Sequence, residues 1–372
     1  NKKKCYIYGN GLNGFEYKKN IVLNAGNSGT FARLILGLLV KSPFYIKLVG
    51  DKSLSKRDFG RVILPLQKVG ASFKVNSKKT LPLQIIGSSF TNPINYIENK
   101  GSAQCKSTMM LAALNSPGKT VIKAKKSRDH TENIFKYLGI PIIVKKNKYG
   151  DKIEIKGQKT FNSFKYKVPS DPSSCAFFIV LTLLSKNCSL KIKNVNVNHS
   201  RIGYIKILNK MGANIKIKNI KKEYGEKQAD ILVKSQKNLK KINCPPNLNS
   251  NLIDEFLIIF LAAAKAKGIS SFTNLGELNK KESPRLKLGS KLLNQLGIKT
   301  KLTKDSIKIF GNPDIKLNKI INVKNYFKDH RIFMTSVIAA YTFGGKWKIE
   351  DIESYKSSFP SFLSIIKKLG YK

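Results

Sequence analysis

The chain has seven arginines against 62 lysines, and the seven sit in six short polar stretches that also hold all three histidines. Arg33 follows the loop NAGNSGTFAR, Arg57 and Arg61 lie in GDKSLSKRDFGR, and Arg128 lies with His130 in KSRDHTE. Arg201 follows His199 in NHSR, Arg285 closes KKESPR, and Arg331 follows His330 in KDHR. Lysine supplies charge on a surface, but only arginine presents a planar fork to a carboxylate or phosphate. A set of clustered arginines in a lysine-rich chain therefore reads as clamps for an anionic ligand. Carboxylates are sparse as well. Asp254 and Glu255 interrupt the apolar run SNLIDEFLIIFLAAA, where a carboxylate is also an ordinary helix cap. Glu282 stands among Lys280, Lys281 and Arg285, a field in which it can stay ionised or hold a proton. Anion clamps beside a few carboxylates point to acid–base chemistry on a phosphorylated or carboxylated substrate. No His, Cys, Asp or Glu spacing matches a metal-ligand pattern, and no GxxxxGK[ST] cradle supports a nucleotide site.

These residues need elements to hold them. LPLQKVGASFKV, FKYLGIPIIVKK, LNKMGANIKIK, LNQLGIKTKL and IIKKLGYK share one pattern, an amphipathic helix end, a glycine, then an alternating strand. Their glycines are Gly70, Gly139, Gly212, Gly297 and Gly370. A period near 70 residues is too long for a solenoid repeat and fits a repeated α/β module. Five copies suggest a sixth before Asn1. The seam is expected at KVPSDPSS, where Asp171 and Pro172 read as the start of a buried helix over CAFFIVLTLL. Domains are therefore placed at 1–168 and 169–372.

With 372 residues and a 41% apolar composition, the chain has material for two globular cores. No apolar run reaches the length of a membrane span. Five cysteines without CxxC spacing point to a reducing, cytoplasmic setting and to buried thiols rather than disulfides. The net charge of +47 raises nucleic acid as a partner. The lysines, however, spread along the whole chain beside Asn and Ile, which resembles compositional drift rather than a binding stripe. Such a field still steers anionic substrates.

Taken in order, NAGNSGTFARL, GDKSLSKRDFGRV, GSAQCKS, KSRDHTENIF, VPSDPSS, NHSRIG, LIDEFLII, NKKESPRL and KDHRIFM resemble the 5-enolpyruvylshikimate-3-phosphate synthase family over nearly the whole chain. The resemblance implies an α/β, two-domain enolpyruvyl transferase fold, an inside-out α/β barrel of repeated βαβαββ units. It places the active site in the interdomain cleft. It implies transfer of the enolpyruvyl group of phosphoenolpyruvate to the 5-hydroxyl of shikimate 3-phosphate through a tetrahedral intermediate, without metal or cofactor. By the same resemblance Asp254 and Glu282 are catalytic. Gly29, Thr30, Arg57, Gln104, Arg285 and Arg331 hold phosphoenolpyruvate. Ser102, Ala103, Gln104, Ser127, Arg128, Asp254 and Lys281 hold shikimate 3-phosphate. A monomer is expected, with no nucleic acid or membrane partner. The family's opening PGDKS-type loop does not precede Asn1, so a protein made only of these residues is expected to be inactive. The alternatives are the sister transferase acting on UDP-N-acetylglucosamine and a basic nucleic-acid-binding protein.

Three departures bear on the expected site. Asp58 stands where the family has proline and could pair with Arg57. Pro284 replaces a carboxylate that could orient Arg285. On the SFP stretch, Ser357 takes the place of a lysine, with Lys356 one position off. Because residue 29 is glycine, the resemblance predicts that glyphosate inhibits the intact enzyme. Full activity in excess glyphosate contradicts that expectation.

Overall fold

The computed structural model describes residues 4–12 and 14–370. The chain forms two compact units, Asn1–Tyr166 and Lys167–Lys372. The first unit repeats one element order twice. Its first copy runs β1 (Val22–Asn24), α1 (Gly29–Leu38), β2 (Ile46–Val49), α2 (Gly60–Val69), β3 (Ser72–Lys74) and β4 (Leu83–Ile86). The second runs β5 (Asn95–Glu98), α3 (Ala103–Ala113), β6 (Lys119–Ala124), α4 (His130–Tyr137), β7 (Ile142–Lys146) and β8 (Asp151–Lys156). Each copy makes one sheet, in the orders β1-β2-β4-β3 and β5-β6-β8-β7. The first two strands of each are parallel and the remaining pairings antiparallel. The parallel pair requires a helical crossover, whereas the antiparallel pair needs only a short turn.

The second unit continues the same plan. It runs α5 (Pro172–Leu184), β9 (Ser189–Asn196), α6 (Gly203–Lys210), β10 (Asn214–Glu223) and β11 (Glu226–Lys234), with the leading strand reduced to a parallel bridge between Ser170 and Val195. Next come β12 (Leu239–Lys240), α7 (Phe256–Ala264), β13 (Ala266–Phe272), α8 (Arg285–Gln295), β14 (Thr300–Leu302) and β15 (Ile307–Gly311), in the order β12-β13-β15-β14. Last are β16 (Leu317–Val323), α9 (His330–Phe343), β17 (Gly344–Ile349) and α10 (Phe362–Lys368), with β16 and β17 parallel.

The two helices of a module differ for a physical reason, most plainly in the second unit. There the first helices α5 and α7 are packed on several sides and apolar nearly all round: every residue of α7 is buried, as are eleven residues of α5. Asp171 caps α5 by accepting from the Ser174 N–H, with Pro172 in the first turn. The second helix is amphipathic and ends at the expected glycine. Gly70, Gly139, Gly212, Gly297 and Gly370 all have positive φ. Strands β3, β7, β10 and β14 follow the first four, while Tyr371 and Lys372, read as part of the fifth pattern, lie outside the described residues. Each unit buries its own apolar core. Among the described residues no helix is long and apolar enough to cross a membrane.

The spacing GxGxxG occurs once, at Gly9–Gly14. Among the described residues no strand precedes it and no helix directly follows it, so it lacks the setting of a dinucleotide cradle.

Two glycines separate backbone freedom from close approach. A Cβ at Gly139, φ +71°, meets nothing within 4 Å, so alanine there costs only the left-handed backbone, about 1 kcal/mol. A Cβ at Gly37, where α1 crosses α3, lies 2.3 Å from the Thr108 carbonyl oxygen. Gly37→Ala is expected to cost about 3 kcal/mol, near the upper end for overpacking. Urea denaturation should rank Gly37→Ala well below Gly139→Ala in stability; the reverse order contradicts the packing argument.

Candidate active site

In the first unit, the expected phosphoenolpyruvate residues assemble around the start of α1. Asn24 Oδ1 accepts from the Gly26 N–H at 2.9 Å, and Asn27 donates to Asp51 at 2.5 Å. Ser28 caps the helix, its hydroxyl accepting from the Phe31 N–H at 3.1 Å. The loop thus delivers Gly29 and Thr30 to the positive end of α1, a setting that favours anions. Gln104 on α3 donates to the Thr30 hydroxyl at 2.9 Å and accepts from Arg33 Nη1 at 3.0 Å. A Cβ on Gly29 would stand 3.0 Å from Nη1 of both Arg33 and Arg57. Gly29, Thr30, Arg57 and Gln104 are therefore neighbours, and glycine is the residue that leaves the two guanidiniums room.

Arg33 is the member that the expected list omits. Its guanidinium lies over the Phe59 ring at 5.0 Å and donates to the Asp58 carbonyl at 3.2 Å. Burial lowers its pKa, and the Arg57 and Arg61 charges push the same way. Its sequence signal was its rarity, one helical turn after Gly29. Asp58 directs its carboxylate to the Gly60 N–H at 2.7 Å, so it serves the start of α2.

Of the expected shikimate 3-phosphate residues, Ser102, Ala103, Gln104, Ser127 and Arg128 belong to this same unit, and Asp254 and Lys281 to the second. Ser102 caps α3 by accepting from the Cys105 N–H at 3.3 Å, and Ala103 opens the helix. A Cβ on Gly101 would lie 3.5 Å from the Lys126 carbonyl, so this loop runs beside Ser127 and Arg128. The Ser127 hydroxyl oxygen is buried and has no hydrogen-bond partner among the described residues.

In the second unit, Asp254, Lys281, Glu282, Arg285 and Arg331 come together. Arg285 is 2% exposed and is surrounded by carboxylates. Its Nε lies 2.9 Å from Asp329 Oδ2, its Nη2 2.5 Å from Glu282 Oε2, and its Nη1 3.6 Å from Asp254 Oδ1. Lys281 Nζ sits 3.3 Å from the same Asp254 oxygen. Arg331 Nη1 donates to the Asp254 carbonyl at 2.8 Å. Burial alone would raise the Asp329 pKa; the Arg285 charge and hydrogen bonds outweigh it and hold the carboxylate below its ordinary value. Burial lowers the His330 pKa to about 4, with the Arg331 charge pushing the same way.

Three details differ from the sequence reading. Pro284 does not leave Arg285 without an orienting carboxylate, because Asp329 supplies one from 44 residues away. Ser283 donates to that same Asp329 at 2.7 Å. The carboxylates before α7 do not cap it: Asp254 faces the cations, and Glu255 accepts from Ser173. Arg201 donates to Ser173 at 2.9 Å and to Asp171 at 2.8 Å, forming a polar tie that no local pattern announces. Lys356 pairs with Glu353 at 2.5 Å on a short exposed turn. Among the described residues no three His, Cys, Asp or Glu side chains form a metal-holding group.

The repeated module and its helix-end charges define the class as an enolpyruvyl transferase fold. The enolpyruvyl transferase NikO from Streptomyces tendae superposes with a TM-score of 0.70 over 91% of this chain and 75% of that one, at 14% identity, a likeness of fold alone. EPSP synthase from Acinetobacter baumannii superposes with a TM-score of 0.83 and 33% identity, over 96% of this chain and 80% of that one. The chain belongs to the EPSP synthase family, whose model, described as EPSP synthase (3-phosphoshikimate 1-carboxyvinyltransferase), matches residues 1–366. The 3-phosphoshikimate 1-carboxyvinyltransferase of Ruthia magnifica subsp. Calyptogena magnifica is 43% identical over 365 residues, 98% of this chain and 82% of the relative. That of Vesicomyosocius okutanii subsp. Calyptogena okutanii is 42% identical over 372 residues, 100% of this chain and 83% of the relative.

The partly buried His330 yields a pH test. An unfolded histidine binds its proton near pH 6.5, roughly its ordinary value, whereas the folded one waits until about 4. Between these values the unfolded state holds more protons, so stability falls as pH falls. His330→Gln should flatten the slope of unfolding free energy against pH in this window; an unchanged slope contradicts the assignment.

Proposed function

We propose that the chain transfers the enolpyruvyl group of phosphoenolpyruvate to the 5-hydroxyl of shikimate 3-phosphate and releases phosphate. The observation that carries this reading is the second-unit cluster, in which Asp254 and Glu282 stand among Lys281, Arg285 and Arg331 in a chain of this family. The chemistry needs a proton at the methylene carbon, removal of the hydroxyl proton, and cations for a highly charged pair of substrates. Glu282 delivers the proton and later recovers it from the methyl group, while phosphate leaves. Asp254 accepts a hydrogen bond from the acceptor hydroxyl, takes its proton as oxygen attacks, and passes that proton to the departing phosphate. Lys281 and Arg285 beside Asp254 favour its ionised form.

Arg285 already faces carboxylates, so an anionic ligand shares its guanidinium with them. Glu282 is the most exposed of the three partners, with 22% of its side chain accessible, and is the one best able to turn toward a substrate. Gly29, Thr30, Arg57 and Gln104 bind phosphoenolpyruvate from the first unit, with Arg33 holding Gln104 in orientation. Ser102, Ala103, Ser127 and Arg128 bind the acceptor phosphate and ring. Domains of 1–168 and 169–372 divide these tasks between substrate binding and catalysis. The reading carries with it a monomeric, cytoplasmic enzyme that needs neither metal nor cofactor.

The assay, on the protein expressed from the natural start of its gene, is phosphate release from phosphoenolpyruvate with shikimate 3-phosphate, and with UDP-N-acetylglucosamine as the control acceptor. Release is expected with the first alone. Glu282→Gln and Asp254→Asn should each lower kcat by about 10²–10⁴, the range for losing an acid or base. Release with the nucleotide sugar, or wild-type kcat in both variants, overturns the assignment.

A further inference from the structure

Lys106 is a second, less visible cation of the first unit. It lies on α3, two residues past Gln104, and is 1% exposed. A lysine this deep needs a carboxylate and further acceptors for its ammonium protons. Its Nζ stands 2.5 Å from Glu132 Oε1, itself on α4 and equally buried. The same Nζ donates to the backbone carbonyl of Arg128 at 2.9 Å. A second tie joins the two helices, since the hydroxyls of Ser107 and Thr131 lie 2.7 Å apart. From the other side, Lys146 holds Asp129 at 3.2 Å.

The held carbonyl belongs to the residue directly after Ser127, whose buried hydroxyl has no hydrogen-bond partner among the described residues. A hydroxyl shut away from water without a protein partner is costly unless something else meets it. We propose that Lys106 is a positioning residue for the acceptor-binding segment Ser127–Arg128: it pins the Arg128 carbonyl so that the Ser127 hydroxyl faces the phosphorylated acceptor. Glu132 holds the ammonium at the point from which it reaches that carbonyl. This role rests on the proposed function for the identity of the acceptor, but not for the backbone contact itself.

The test separates positioning from simple support of the fold. Lys106→Met leaves Glu132 buried and unpaired, which destabilises the chain. The double variant Lys106→Met/Glu132→Leu replaces the pair by apolar groups and is expected to recover stability. It does not restore the contact to Arg128. In the double variant, amide hydrogen exchange over residues 126–133 should stay faster than wild type, while strands β5–β8 exchange as before. The KM for shikimate 3-phosphate should rise about tenfold, the scale of one lost charge-assisted hydrogen bond. The KM for phosphoenolpyruvate should change less than about twofold. A folded double variant with wild-type exchange and wild-type KM overturns the proposal. A wild-type chain that uses another acceptor and ignores shikimate 3-phosphate overturns the proposed function instead, and the exchange comparison still decides the role of Lys106.

Discussion

The second unit is organised by one constraint: the Arg285 guanidinium is removed from water and must be met by carboxylates. Asp329 meets it from the start of α9, Glu282 from the turn before α8, and Asp254 from the turn before α7. Without the cation these three acids would repel one another; without the acids the cation would be an uncompensated buried charge. The beginnings of three helices are therefore drawn to one point. The groups suited to acid–base work sit there because the charge balance requires them there. Arg331 completes the arrangement by gripping the Asp254 backbone, so the carboxylate and its main chain are both held.

The first unit solves a related problem with smaller pieces. Its α1, α3 and α4 begin where parallel strands end, so their positive ends gather at one edge of each module. Arg33 and Gln104 lock α1 to α3, and Lys106 with Glu132 locks α3 to α4. Each lock consists of a charged or amide side chain satisfied on more than one side. Such groups specify orientation where an apolar contact would allow sliding. Small residues let the locks close: Gly29 makes room for two guanidiniums, and Gly37 admits the α3 backbone.

The overall basic charge plays a different part. Most lysines stand on exposed strand and loop positions, far from any single stripe. A field of this kind draws anions toward the molecule but gives no geometry. Geometry comes from arginines such as Arg33 and Arg285, whose forks are fixed by partners on several elements. The clearest case of the contrast is Lys356, exposed on a turn and paired with its near neighbour Glu353, against Arg285.

What the sequence determined by itself is what short-range chemistry controls. The glycines at 70, 139, 212, 297 and 370 announced the helix ends because only that residue accepts a left-handed backbone cheaply. Asp171 and Pro172 announced the start of α5, and the rarity of arginine picked out Arg33, Arg57, Arg285 and Arg331, which stand in the two clusters. The tertiary structure alone decided the partners that lie far apart in the chain. Asp329 orients Arg285 across 44 residues, Arg33 orients Gln104 across 71, and Arg331 grips Asp254 across 77. Glu255 illustrates the limit well: beside an apolar helix it reads as a cap, yet the fold brings Ser173 to it from 82 residues away. A carboxylate takes the strongest donor within reach, and which donor that is depends on packing rather than on neighbours in sequence.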